Sequence, residues 1–146
     1  MKSFACSCKE VEFSALKPPR VRLLCHCSIC QRYNQADYSD MLVYARGDVA
    51  LPHLPSVSFD TYKPPPNVQR GKCRRCGNPA IELFNSILLP DLVMVPVAMA
   101  EDPGDLPAPS AHLFYERRVA DIEDNLPRFC GFLRSQTAFF RYYWFN

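Results

Sequence analysis

Cys73-Arg74-Arg75-Cys76-Gly77 is the stretch on which the fold turns. A Cys-x-x-Cys turn aims two sulfurs at one metal ion, and the glycine behind it allows the tight backbone return of a zinc knuckle. A knuckle supplies only half of a tetrahedral shell. Cys6-Ser7-Cys8 offers the other half, because alternate residues of an extended strand project to one side and converge on a single ion. Cys6, Cys8, Cys73 and Cys76 are therefore expected to form a closed, structural zinc site. Such a site clamps the N-terminal strand to a distant segment and offsets the entropy of the long loop between them. Four thiolates around a dication leave two net negative charges, and Lys9, Lys72, Arg74 and Arg75 adjoin the ligands as compensating charge. Arg74 and Arg75 also read simply as solvated surface residues.

A second cluster, Cys25-His26-Cys27-Ser28-Ile29-Cys30, places two cysteines on one face of a strand end and a third after a two-residue turn. His26 lies between alternating ligands, so it should point away from the ion and support or pack against the site. Three thiolates leave one coordination position open, as catalytic zinc requires. They also donate charge strongly, which makes the ion a poorer activator of water than one held by three histidines. A thiol is the easier target, with a free pKa of about 8.5 against about 15.7 for bulk water. The open position thus suits a sulfur substrate that meets an electrophile. A fourth protein ligand, from His26, His112 or Cys130, is the alternative, and it would close this site too.

The composition frames these motifs. With 146 residues, 48% of them hydrophobic and 22% charged, the chain is long enough for one domain with its own core, spanning 1–146. A net charge of +2 argues against nucleic acid as a partner, and the longest apolar stretch, Ile87 to Ala100, is broken by Pro90, Asp91 and Pro96, which argues against a membrane span. The N-terminal Met-Lys-Ser-Phe-Ala-Cys lacks an apolar signal region, which predicts a cytoplasmic, reducing setting and cysteines that serve metals before disulfides. Of the eight cysteines only Cys130 falls outside the clusters, and it reads as a small buried apolar side chain.

Fourteen prolines and five glycines, with no helical period beyond about two turns, predict a mainly β fold of short antiparallel sheets. Strands are expected at Val11–Leu16, Val21–Cys27, Ser39–Ala45, Val57–Tyr62, Ala80–Leu89, Leu92–Ala100 and His112–Tyr115. Lys17–Arg20, Lys63–Asn67 and Glu101–Ser110 read as proline-rich loops. The aromatic-rich segment 132–146 reads as a final strand or helix on the same core, or else as a dimer contact or the wall of a pocket.

The three cysteine clusters in this order resemble the glutathione-dependent formaldehyde-activating enzyme family, whose domain also occurs in centromere protein V. The similarity runs from about Cys6 to Phe132 and includes the His112-Leu-Phe stretch and Asn125-Leu-Pro-Arg-Phe129. It implies an Mss4-like, β-rich fold with one zinc at Cys6, Cys8, Cys73 and Cys76. It also implies a second zinc at Cys25, Cys27 and Cys30 that meets the thiol of glutathione. The implied reaction is carbon-sulfur lyase chemistry, the reversible formation of S-hydroxymethylglutathione from glutathione and formaldehyde. Lys9 and Lys72 stand where the family usually has glycine and an aromatic residue, and Glu116 onward replaces its Pro-Trp pair.

A glutathione-like thiol carries two carboxylates, for which Arg32 and then Arg117 are the first candidates. His112 reads as a proton shuttle or a satisfied core histidine, Tyr33 as pocket or core, and His53 as a loop residue. Two other functions remain open at this level. One is a zinc lyase or isomerase acting on a larger apolar metabolite, and the other is a non-catalytic zinc module that binds another protein.

Overall fold

The frequent prolines keep the elements short. The computed structural model of the chain describes residues 1–64 and 67–146, and among them it has ten strands and two helices. The strands are β1 (Lys2–Ala5), β2 (Glu12–Ala15), β3 (Val21–Cys25), β4 (Ser39–Ala45), β5 (Val49–Ala50), β6 (Val57–Asp60), β7 (Val68–Cys73), β8 (Pro79–Phe84), β9 (Leu92–Pro96) and β10 (His112–Leu113). The helices are α1 (Ser28–Asn34) and α2 (Phe132–Phe145). A small antiparallel sheet runs β1-β2-β5, and a seven-stranded sheet runs β10-β3-β4-β9-β8-β7-β6. The fold is mainly β, as expected, although β10 pairs with β3 in parallel.

The apolar runs in β4 and β9 do not alternate because both faces of the large sheet are covered. Leu42, Tyr44, Val93 and Val95 face one core, shared with Phe4, Phe13 and Val49 of the small sheet. Met41, Val43, Leu92 and Met94 face the other, shared with Leu113 and with Ala138, Phe139 and Tyr143 of α2. The cysteines divide the same way. Cys6 and Cys73 belong to the first core, and Cys25 and Cys30 to the second.

Several expectations change at the element ends. The strand expected over Val21–Cys27 stops at Cys25, because Cys27 leaves the strand to cap α1, accepting a hydrogen bond from the Cys30 amide. The turn before Cys30 is thus the first turn of a helix. The strands expected over Ala80–Leu89 and Leu92–Ala100 end at Phe84 and Pro96, the second passing into a single 3-10 turn. The expected N-terminal strand is β1, which ends just before Cys6, and β5 and β7 were not anticipated. Of the Lys63–Asn67 loop, Pro65 and Pro66 lie outside the described residues.

The segment 132–146 takes the helix alternative, as the 14-residue α2 packed on the second core. Ser135, Ala138, Phe139 and Tyr143 form its buried stripe, at the spacing of one helix face. Phe132, Leu133, Trp144 and Phe145 lie exposed on the same helix. The exposed aromatics flank a narrow polar stripe of Arg134, Thr137 and Arg141, so the amphipathic pattern is weak in the sequence. Two expectations about single residues also resolve. Tyr33 belongs to the core, where its hydroxyl donates to the Gly71 carbonyl oxygen at 2.6 Å. Cys130 is exposed rather than buried, because it lies just before the Gly131 turn that starts α2.

Cys6 and Cys8 do not sit on an extended strand. They form the tip of the β1-β2 hairpin, where the Cys6 amide donates to the Val11 carbonyl and the Lys9 amide to the Cys6 carbonyl. Lys9 closes this tip with φ of 62°, the left-handed conformation that glycine adopts without a Cβ clash. Replacement Lys9→Gly should therefore stabilise the chain by about 1 kcal/mol. Equilibrium unfolding in urea measures it, and a less stable variant would refute the strain at this tip.

Candidate metal centres and the adjoining cleft

Two short turns meet at the first cysteine group. In each, the residue after the last cysteine has positive φ, Lys9 at 62° and Gly77 at 76°, and its amide donates back to the carbonyl of the first cysteine at 2.9 Å. The turns are thus near copies in backbone hydrogen bonding. Amides of Val11 and Arg75 point at the sulfurs of Cys6 and Cys73, both at 3.4 Å. Such bonds stabilise thiolate over thiol.

The four sulfurs of Cys6, Cys8, Cys73 and Cys76 all lie within 4.8 Å of one another, and Sγ distances from Cys8 are 3.5 Å to Cys6 and 3.7 Å to Cys73. A tetrahedral ion with metal-sulfur bonds of about 2.3 Å requires sulfur separations of about 3.8 Å. The group therefore fits a tetrahedral metal, and an all-sulfur donor set selects a soft or borderline ion. The neighbouring cations are partly committed elsewhere. Arg74 Nε donates to the Pro55 carbonyl, Lys72 lies over the Tyr33 ring, and Arg75 faces Glu10 at 4.0 Å.

The second group is Cys25, Cys27 and Cys30, again with all sulfurs within 4.8 Å. Cys25 ends β3, Cys27 caps α1 and Cys30 sits in its first turn, so a strand end and a helix start converge on one point. Among the described residues no fourth histidine, cysteine or carboxylate joins this group. Hydrogen bonds from Cys25 and then Cys30 hold the Cys27 thiol far below the ordinary thiol range, while those two thiols are pushed up. A divalent ion fits the trio by displacing thiol protons.

His26 is buried on the side away from the thiols, as expected. Its Nε2 lies 2.8 Å from His112 Nδ1, and His112 Nε2 donates to Asp124 Oδ2 at 2.7 Å. Burial and then the neighbouring His112 lower His26 to a pKa of about 4, so its ring is neutral. Both nitrogens of His112 are occupied in this buried chain, which anchors the segment around Asp124 to β3. Gln31 adds a second tie, donating to the carbonyls of His26 and Arg117 at 2.7 and 2.8 Å.

The three cysteines open onto a cleft of about 1020 Å³. Arg117 lines it; Arg32 and His112 do not. Arg32 instead stacks over Tyr62 at 5.6 Å. Two lining residues were missed by the sequence reading, Arg70 on β7 and Glu82 on β8. They oppose each other across the ladder, with Arg70 Nε 3.1 Å from Glu82 Oε2, and Glu82 is almost fully buried. Burial pushes the Glu82 carboxyl up to about 7, Arg70 pulls it down, and the Cys27 charge adds to the rise. An acid embedded in an apolar strand, Ala80-Ile-Glu-Leu-Phe84, was the available signal.

Removing Arg70 leaves Glu82 with a still higher folded pKa. A raised folded pKa contributes stability at low pH that is lost as pH rises. Arg70→Met should therefore cost about 3 kcal/mol near pH 8 and distinctly less near pH 6, where the carboxyl takes up a proton. Urea unfolding at both values measures it, and a pH-independent loss would contradict the pairing.

A family model described as glutathione-dependent formaldehyde-activating enzyme matches residues 1–117. The match takes in both cysteine groups and the His112-Leu-Phe stretch, and it stops short of the expected limit at Phe132. No curated protein matches. Among solved structures, a Rhodobacter sphaeroides protein, the subject of a structural genomics crystal structure, is 20% identical with a TM-score of 0.54. The likeness covers 72% of this chain and 97% of that one, and it speaks to the fold. With both cysteine groups inside a match that spans most of its length, the chain belongs to the glutathione-dependent formaldehyde-activating enzyme family.

Proposed function

We propose that the chain is a zinc enzyme that makes and breaks a carbon-sulfur bond between a thiol and a carbonyl carbon, with glutathione and formaldehyde as the family's pair. The observation that carries this reading is the trio Cys25, Cys27 and Cys30, which has three sulfurs, no fourth protein ligand among the described residues and an opening to a cleft. Zinc held by the trio supplies Lewis acidity and one position for a substrate sulfur. In the forward direction the sulfur bonds to the carbonyl carbon, the π pair moves to oxygen and the thiol proton ends on that oxygen. The reverse reaction returns both partners.

The chain's own residues bind and orient the substrates. Lys63, Arg117 and Arg141 are exposed along the cleft and offer cationic contacts for the two carboxylates of glutathione. Arg70, largely buried at the cleft and paired with Glu82, favours the charged form of Cys27. Arg32 and His112 line no part of the cleft and take no role in this reading. The tetrad Cys6, Cys8, Cys73 and Cys76 holds a second, closed zinc that fastens the small sheet's hairpin to the end of β7.

The two sites predict opposite phenotypes. Cys27→Ala should lose one zinc per chain and reduce turnover of glutathione with formaldehyde to background, while its circular dichroism stays that of the parent. Cys76→Ala should instead unfold the chain, since a structural zinc contributes on the order of 10 kcal/mol to folding. Metal analysis, adduct formation by NMR and thermal melts read these outcomes. Undiminished turnover in Cys27→Ala defeats the proposal.

A further inference from the structure

The cleft beside the three cysteines is far larger and more apolar than a one-carbon electrophile requires. At about 1020 Å³ it reaches the top of the range for small-molecule pockets. Met41, Leu92, Met94 and Leu113 line it from the sheet, and Phe139, Phe140 and Trp144 line it from α2. Phe140 lies between Trp144 and Phe84 with tilted rings, centroids at 5.5 and 6.2 Å. Trp144 is 51% exposed and Phe132, also on the wall, is 59% exposed, so apolar surface faces open space beside the thiols. The rim continues this character, since Ile87 and Leu88 are fully exposed between the lining residues Ser86 and Leu89.

This wall has a separate origin from the reacting centre. The family match ends at residue 117, and α2 begins at Phe132. The cysteines thus come from the matched region, while most of the aromatic wall comes from the segment beyond it. Formaldehyde offers no apolar surface to cover such a wall. Glutathione does not suit it either, because its charged ends match the cationic residues of the rim. What gains from the wall is a second reactant whose body removes apolar area from water.

We infer that the carbonyl substrate of this chain carries a bulky apolar, ring-bearing body that seats against α2 while its carbonyl carbon reaches the three-cysteine centre. The inference rests on the carbon-sulfur reading of that centre and names its substrate class. The bond changes are those of thiol addition and its reverse, so no oxidant or reductant is needed. Phe132, Phe140 and Trp144 are binding residues that select the body of the substrate.

Trp144 is the only tryptophan, so its fluorescence reports occupancy without turnover. The zinc-loaded protein is titrated with 3-cyclohexylpropan-1-ol, an unreactive probe transparent at the excitation wavelength. Saturable change is expected, with affinity falling about tenfold in Phe140→Ala. Phe132→Ala, at an exposed position outside the core, should fall in the same direction and guards against a folding defect. In parallel, NMR exchange compares how much the protein accelerates glutathione addition to 3-cyclohexylpropanal and to formaldehyde. A clear preference for the larger aldehyde supports the inference. Absence of saturable binding, equal affinity in both variants, or a preference for formaldehyde overturns it. Binding that weakens in the variants while neither aldehyde reacts supports the apolar ligand class and overturns the carbon-sulfur reading instead.

Discussion

The burial of β4 and β9 on both faces is the constraint from which the rest of the architecture follows. A strand covered on one side only would present its alternate residues to water. Here Leu42 and Val93 support the small sheet, while Met41 and Met94 support the side on which α2 docks. Two separate cores result, and each contains one of the cysteine groups. The group with four sulfurs sits where two hairpin-like turns meet at the sheet's end, and the group with three sits where a strand gives way to a helix. The sheet itself therefore keeps the two cysteine groups apart.

This division has an electrostatic consequence. Backbone amides of Val11, Arg75 and Cys76 point at sulfurs of the four-sulfur group and steady their charge. The three-sulfur group faces a cleft that contains an ion pair, Arg70 with Glu82, inside an otherwise apolar setting. Charges in such a setting interact more strongly than they do at a surface. Burial raises the Glu82 carboxyl, whereas hydrogen bonds from Cys25 and then Cys30 lower the Cys27 thiol against its own burial.

Much of the fold was legible because its signals are local. Val21–Cys25, Ser39–Ala45 and Leu92–Pro96 fall within expected strands, and Gly77 takes the positive φ that the knuckle reading required. Lys9 was harder to read. It occupies a glycine-like turn, and its φ together with the Cys6–Val11 and Lys9–Cys6 backbone bonds places Cys6 and Cys8 at a hairpin tip rather than on an extended strand. The segment 132–146 left strand and helix both open, because aromatic residues of α2 serve two environments, a core on one side and a cleft on the other, beside the narrow polar stripe of Arg134, Thr137 and Arg141.

The sequence by itself determined the local cysteine clusters, and the fold joined Cys6 and Cys8 to Cys73 and Cys76. Cysteines two or three residues apart are brought together by the geometry of single turns, which any folded context must respect. Tertiary structure alone decided what surrounds them. Arg70 and Glu82 reach the three-cysteine site through the register of β7 against β8, and Phe140 and Trp144 reach it through the docking angle of α2. Register and docking are set by the summed packing of both cores, which no short stretch of the chain encodes. The same packing places His112 in a buried chain with His26 and Asp124, and leaves Arg32 on Tyr62 outside the cleft.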